Sequence, residues 1–295
     1  MGNVAVAAGY YLMAKLEMHQ FAEFSAHDLF EVEFIDVKDG LVRSERLPRS
    51  RLFVWRDPQE QRDIIVFLGE AQPPSGKYAF CRKLVEFAKS LGVERVLTFA
   101  AMATDMPLQQ RSRVFAAASD ARILAELKQL ELEILVEGRI GGLNGVLLGV
   151  AAECGMESAC LLGEMPSGFI QLPFPKASLA VLNVFTTMTG IEVDVEELDE
   201  QARATEHRLA ELLERMKIAM REQLSQQGQG GEEEVEFGVE PEEEPGHEDN
   251  ERLEQLFEQA KRDRSKAYEL KRELDRLGVF KEYQDRFLDL FKKPE

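Results

Sequence analysis

Apolar runs of strand length alternate with helical patterns from the start of the chain to about residue 190. The clearest runs are Leu52–Trp55, Ile64–Leu68, Val96–Ala101, Ile134–Val136 and Ala159–Leu162. Several are continuous rather than alternating, the pattern of strands buried on both faces. Amphipathic spacing predicts helices at Tyr78–Leu91, closed by Gly92, and at Ala121–Leu130. Two more follow at Leu143–Cys154, closed by Gly155, and Pro175–Met188, closed by Gly190. Proline just inside a helix start and glycine just past its end is the expected asymmetry. This succession predicts an α/β fold, a mostly parallel or mixed sheet with helices on both faces.

The character changes after Val195. Leu198, Ala202, Leu209, Leu212, Leu213, Met216, Ala219, Met220 and Leu224 form one stripe at helical spacing. A helix of about thirty residues would be roughly 45 Å long, more than one domain needs to cover itself, so the excess predicts self-association. Gln226 to Gly231 and the Glu-rich run to Glu251 have the composition of a disordered tether. Helical spacing resumes at Leu253, Leu256, Phe257 and Ala260 and continues to Leu277. Past Gly278, a short aromatic helix carries Phe280, Tyr283, Phe287 and Phe291, which should not stay exposed. The expected organisation is therefore a domain over 1–225, an acidic linker over 226–250 and a helical tail over 251–295.

Charge changes the picture of partners. The chain of 295 residues has 36 Lys+Arg against 54 Asp+Glu, a formal net charge of -18. Phosphate backbones and anionic membrane surfaces require the opposite balance, which argues against both. The acidity is largely local, since residues 232–251 hold eleven acids and no Lys or Arg. Cys81, Cys154 and Cys160 form no CxxC pair and have no neighbouring His. That usage fits a reducing cytoplasm rather than a disulfide framework or zinc site. Neither a convincing signal peptide nor a run long enough to span a bilayer is legible.

Ligands in open α/β sheets bind beyond the carboxyl ends of strands. Four loops there carry candidate chemistry: Gly69–Lys77, Thr104–Pro107, Glu137–Gly145 and Gly163–Gly168. Ser75-Gly76-Lys77 has the wrong glycine spacing for a phosphate loop, and Tyr78 stands where a magnesium-binding hydroxyl is needed. Gly138, Gly141, Gly142 and Asn144 enter a helix, where free backbone N–H groups could meet an anion or simply turn the chain. Lys176 opposes a helix dipole and is a second anion candidate. Glu70, Asp105, Glu137 and Glu164 could converge on one rim as acid/base or magnesium-holding carboxylates, or be solvated there. His19, His27, His207 and His247 all fall outside these loops, so no Ser-His-Asp or Cys-His constellation is available in them. The candidate ligand-binding residues are Gly2, Asn3, Gly138, Gly141, Gly142, Asn144, Glu164 and Lys176; no catalytic residue, metal set or cofactor is indicated.

The run Gly138-Arg-Ile-Gly-Gly-Leu-Asn-Gly-Val-Leu-Leu-Gly149 resembles the proteasome assembly chaperone 2 family. So do Glu164-Met-Pro166, Pro173-Phe-Pro175-Lys176-Ala177 and Gly190-Ile-Glu-Val-Asp194, together with Met1-Gly2-Asn3-Val4 and Gly92-Val-Glu-Arg-Val96. The likeness covers about residues 1–225. It implies a three-layer α/β/α sandwich similar to nucleoside phosphorylases and hydrolases, usually oligomeric, with a C-terminal helical extension here outside the shared pattern. Eukaryotic and some archaeal relatives chaperone proteasome subunits, while most bacterial members have no assigned activity; some relatives have been labelled ATP-grasp ligases, whose glycine loop is not found here. Docking relatives can end in a hydrophobic-Tyr-any tripeptide, whereas this chain ends Lys293-Pro294-Glu295.

Two functions follow. The first is a non-enzymatic, protein-binding assembly factor whose partner is another protein, itself, or both. The second is an enzyme or small-ligand binder using the strand-end cleft, for which a deep closed pocket lined by Gly141, Asn144, Glu164 and Lys176 would speak. The resemblance also sets an expectation for the start of the chain. In the family, the loop matching Met1–Val4 follows a buried first strand. The structure should therefore open with a helix over Ala5–Glu17 capped by Asn3, beside an empty or exposed sheet edge, as a start codon placed too far downstream, or a genuine loss of the strand, would produce.

Overall fold

A computed structural model describes residues 1–32, 35–38, 40–44, 46–130, 132–226 and 247–292. Of the tether expected over 226–250, residues 227–246 lie outside the described residues, as does the terminal Lys293-Pro294-Glu295, whereas residue 226 ends one helix and 247–250 open another, four residues ahead of the expected tail. The chain opens with helix α1 (Val4–Lys15), then strands β1 (His19–Phe24), β2 (Ile35–Lys38), β3 (Leu41–Ser44), β4 (Ser50–Trp55) and β5 (Ile64–Gly69). Next come α2 (Lys77–Ser90), β6 (Arg95–Thr104), β7 (Val114–Ala118), α3 (Ala121–Gln129) and β8 (Glu133–Ile134). The domain continues through α4 (Gly142–Glu153), β9 (Glu157–Pro166), α5 (Pro175–Thr189) and the long α6 (Glu196–Gln226). Helices α7 (His247–Arg262), α8 (Ala267–Arg276) and α9 (Phe280–Asp289) form the tail.

The middle layer is an interrupted sheet. Strands β1-β4-β5 form one antiparallel ladder, and β6-β9-β7-β8 form a mixed one in which β6 and β9 run parallel. No ladder joins β5 to β6 among the described residues. Leu97 and Phe99 of β6 pack toward α1 and α5, and Ala159 and Leu161 of β9 toward α3 and α5. The opposite face packs on α2 and α4, through Phe80, Cys81, Leu143 and Val150 with Phe67 and Val96. This is the expected three-layer α/β/α arrangement. Gly163 lets α5 close onto β9, because a Cβ there would stand 2.6 Å from the Ala177 carbonyl oxygen.

The opening helix appears as expected, with one correction. Asn3 occupies the N-cap position of α1 but adopts a left-handed backbone (φ 49°), and its side chain makes no capping hydrogen bond. The conformation itself turns the chain into α1, since Asn tolerates φ > 0 better than most residues. The single helix expected from Glu251 to Leu277 is instead two, α7 and α8. Asp263 breaks it by accepting hydrogen bonds from the backbone N–H and hydroxyl of Ser265. Strands β1, β2, β3 and β7 have no counterpart in the pattern reading.

The tail docks on its own core. Tyr10 of α1 meets the rings of Phe280 and Phe287 edge-on, Tyr11 meets Tyr268, and Phe53 of β4 meets Phe291. Leu253, Phe257, Leu270, Leu274 and Leu288 complete this buried cluster. The apolar stripe of α6 is divided: Leu198, Ala202 and Leu209 are buried, whereas Leu212 and Met216 are exposed. No helix among the described residues is long and apolar enough to cross a membrane.

Candidate functional site

The strand-end candidates fall into separate local networks. At the end of β9, Glu164 is fully buried, and its carboxylate accepts hydrogen bonds from Arg113 Nε (2.9 Å) and Nη2 (2.7 Å) and from Thr104 Oγ1 (2.8 Å). The Arg113 guanidinium, aided by the Thr104 hydroxyl and opposed by burial, holds this carboxyl below its usual range. The charged form is thus the folded form's preference. A group with a depressed folded pKa contributes stability above its unfolded pKa and loses it as pH falls through the folded one. Urea unfolding of the wild type and Glu164→Gln should therefore diverge most at neutral pH and converge below about pH 4, the ordinary glutamate range. A gap that stayed constant from pH 7 to 3 would contradict the assignment.

One residue beyond Glu164, Met165 packs against Gly2, where a Cβ would sit 2.6 Å from its sulfur. Gly2 is pinned by its N–H to the Ile170 carbonyl and by its own carbonyl to the Phe174 N–H, both 2.9 Å. Lys176 donates to the Leu108 carbonyl (2.8 Å) and the Gln110 carbonyl (3.3 Å) and forms an ion pair with Glu206 of α6. Its ammonium thus ties the β6–β7 loop to α6.

At the start of α4 the backbone is already served. Gln72 Oε1 accepts the Leu143 N–H (3.1 Å) beside Gly142 (φ 70°), and Asn144 Nδ2 donates to the Phe99 carbonyl of β6 (2.5 Å). Gly141 takes an extended conformation ahead of the helix. The four acids expected on one rim are dispersed: Glu70 pairs with Arg46 and Arg51, Asp105 accepts from Ser167, Glu137 lines a groove and Glu164 is buried.

That groove, of about 620 Å³, runs between α4 and the β7–β8 strands. Ala117, Ser119, Val136, Gly145, Leu148 and Gly149 are among its walls, and of the eight candidates only Gly138 lines it. It is an open, shallow depression rather than a closed pocket. The thiols are also quiescent: burial pushes Cys81 up to about 11 and raises Cys160, which keeps both protonated at neutral pH.

A group of exposed apolar side chains lies elsewhere, on the β2–β3 hairpin. Ile35, Val37, Leu41 and Val42 are 58%, 68%, 65% and 71% exposed, with Val32 beside them. Exposed apolar patches of this kind commonly mark interaction surfaces. The sequence signal was present: Asp39-Gly40 sits between the runs Phe34–Val37 and Leu41–Val42, the strongest short-range hairpin pattern. Charges interleaved at Asp36, Lys38 and Arg43 break the apolar runs there.

The PAC2 family model matches residues 1–213, which contain the sheet, its helices and the first half of α6. The chain belongs to the PAC2 family. Among solved structures it is similar to a PAC2 family protein of Streptomyces avermitilis, at 27% identity and a TM-score of 0.62, over 72% of this chain and 90% of that one. It is similar also to PbaB of Pyrococcus furiosus, described as an archaeal proteasome activator, at 29% identity and a TM-score of 0.60, over 72% and 89%. A proteasome-assembly chaperone homologue of Mycobacterium tuberculosis matches at 25% identity and a TM-score of 0.62, over 71% and 89%. An uncharacterized protein of Methanocaldococcus jannaschii is 26% identical over 209 residues, 70% of this chain and 77% of its own. The tail α7–α9 follows the residues that the PAC2 model matches.

Proposed function

We propose that this PAC2 protein is a non-enzymatic, cytoplasmic assembly factor that binds proteins, including a second copy of itself, without a cofactor. The observation that carries this reading is the β2–β3 hairpin, four of whose aliphatic side chains are more than half exposed. Leu212 and Met216, one turn apart on α6, add exposed apolar surface. Relatives described as a proteasome activator and as proteasome-assembly chaperone homologues support a protein partner over a small molecule. The strand-end polar groups support it too, since Glu164, Lys176 and Asn144 are spent on internal partners.

Sedimentation velocity at tens of micromolar tests the self-association. The wild type should sediment as an oligomer, and Val37→Asp with Val42→Asp should shift it toward monomer without lowering its melting temperature. A wild type that is monomeric throughout, or a double variant that associates unchanged, would sink the hairpin as the interface. Purified proteasome core particle and its α subunits are the first heterologous partners to assay, on native gels with and without the same double variant.

A further inference from the structure

Two apolar surfaces of this chain stand uncovered, and their shapes are opposite. The β2–β3 hairpin is a projection. Its ladder sets Ile35 opposite Ser44, Asp36 opposite Arg43, Val37 opposite Val42 and Lys38 opposite Leu41. Directly opposed residues share a face, so Ile35, Val37 and Val42 form one apolar face, and positions 36, 38, 41 and 43 form the other. Among the described residues the hairpin pairs with no further strand, and its aliphatic side chains stay more than half exposed. Arg46, two residues past β3, fixes the base of the hairpin through Glu70 and Asp285.

The groove between α4 and the β7–β8 strands is the matching recess. Its volume of about 620 Å³ is that of a site able to take several apolar groups. On α4 the wall is Gly145, Leu148, Gly149 and Ala152, which lie at i, i+3, i+4 and i+7 on one face. All but Leu148 carry at most a methyl group, so an incoming aliphatic side chain reaches the helix backbone. A Cβ added at Gly149 meets nothing within 4 Å, and Val136 on the far wall is 89% exposed. Within one chain the two surfaces do not meet, since both keep their exposure. The hairpin leaves the middle layer between β1 and β4, at one end of the strand order, and the groove lies on β7 and β8, at the other. Strands β5 and β6 are the inner pair, because both pack on the α1 cluster and on the α2–α4 cluster. At about 4.8 Å per strand, hairpin and groove are roughly 20–30 Å apart.

We propose that this groove is the receptor for the β2–β3 hairpin of a second copy of the chain, with the Ile35–Val37–Val42 face entering it. The proposal rests on the hairpin reading above and supplies the surface that the hairpin meets. A projection at one end of the layer and a recess at the other make a heterologous contact, the hairpin of each copy seated in its neighbour, which closes as a reciprocal pair or a ring. One such contact covers both exposed surfaces, whereas hairpin-to-hairpin pairing would leave the groove and Val136 in water. Gly149 thereby gains a role in recognition, since a large side chain there would fill the space that the hairpin needs.

Sedimentation velocity at tens of micromolar compares the full-length wild type, Val37→Asp with Val42→Asp, Gly149→Trp, and an equal mixture of the two variants. Gly149→Trp should melt no lower than the wild type, because the position is exposed and a helix favours most residues over glycine. Each variant alone should sediment as a monomer. The mixture should regain a species holding one copy of each, since one partner keeps its hairpin and the other its groove. If Gly149→Trp associates like the wild type while the hairpin variant is monomeric, the groove falls as receptor and the hairpin reading stands. A mixture that stays monomeric would likewise overturn the groove. A wild type that is monomeric throughout would remove both readings together. A bis-maleimide crosslinker gives a second readout that does not depend on Gly149→Trp, with Val42→Cys in one full-length chain, Val136→Cys in another and the wild type as blank. Crosslinks should form chiefly between the two different chains when they are mixed. Crosslinking chiefly between two Val42→Cys chains would assign the contact to paired hairpins and overturn the proposal.

Discussion

Replacing Phe287 with alanine should lower the unfolding free energy by about 3–5 kcal/mol, the cost of emptying a fully buried aromatic site. Phe287 has no exposed surface and touches the rings of Tyr10, Phe280 and Phe291. It therefore holds three parts of one cluster: α1, α9 and the end of the tail against β4. Beside it stands a charged cluster that fixes the orientation of the docked tail. Asp285 of α9 accepts hydrogen bonds from Arg46 (2.5 and 2.6 Å), Arg49 (3.2 Å) and Arg51 (2.7 Å), while Glu23 and Glu70 balance the remaining positive charge. The Arg46 guanidinium, with Arg51 and Arg49, holds the Asp285 carboxyl far below the usual carboxylate range.

Arg51 is only 1% exposed, and among the described residues Asp285 supplies its one close side-chain acceptor, since Glu70 and Glu23 lie 3.5 and 3.8 Å from its other nitrogens. Asp285→Ala would leave that guanidinium buried and poorly paired, at about 2–3 kcal/mol once the partial exposure of Asp285 is allowed for. Both variants should loosen the tail before the sheet. Hydrogen exchange of Tyr10–Met13 should quicken, and limited proteolysis should release a fragment containing α7–α9. Unchanged protection of α1 in Phe287→Ala would mean the tail is not held where the structure places it. Because the Asp285 carboxyl is depressed, its contribution is present at neutral pH and lost in strong acid, so the gap to Asp285→Ala should close as pH falls.

Two glycines one turn apart in α4 should respond in opposite senses. A Cβ at Gly145 would fall 1.8 Å from the Ile140 carbonyl oxygen, a backbone atom of the loop that α4 leaves. Gly145→Ala must therefore push the 138–141 loop away, at about 3 kcal/mol or more. Gly149 has nothing within 4 Å of an added Cβ and is exposed. Gly149→Ala should stabilise α4 by about 0.5–1 kcal/mol, the ordinary helix-propensity gain. Thermal unfolding of the two single variants decides the matter: equal effects of the same sign would show that the loop does not rest on α4 at Gly145.

The pattern of residues alone established the layer order and much of the element content. Continuous apolar runs at Ile64–Leu68, Val96–Ala101 and Ala159–Leu162 have the pattern of strands covered on both faces, and they are β5, β6 and β9, of which β9 is buried along its length and β5 and β6 are largely half-buried. Glycine and proline punctuation placed α2, α4 and α5 to within a few residues, because those residue types act through backbone geometry that needs no tertiary partner. The PAC2 family too was legible, from the order of its glycine turns. What tertiary structure decided was where polar and aromatic ends meet. Nothing in the spacing of Glu164 and Arg113, 51 positions apart, announces that they pair, nor that Asp285 reaches back to Arg51. Candidate site residues were read by type, but whether a carboxylate faces a cleft or an internal guanidinium depends on which strands are neighbours, and non-local pairing leaves no local periodicity. The same reason separates the two halves of the α6 stripe. The same helical spacing runs through Leu198, Ala202, Leu209, Leu212 and Met216, yet the first three are buried and the last two exposed, because burial depends on which neighbouring elements a stretch of α6 meets.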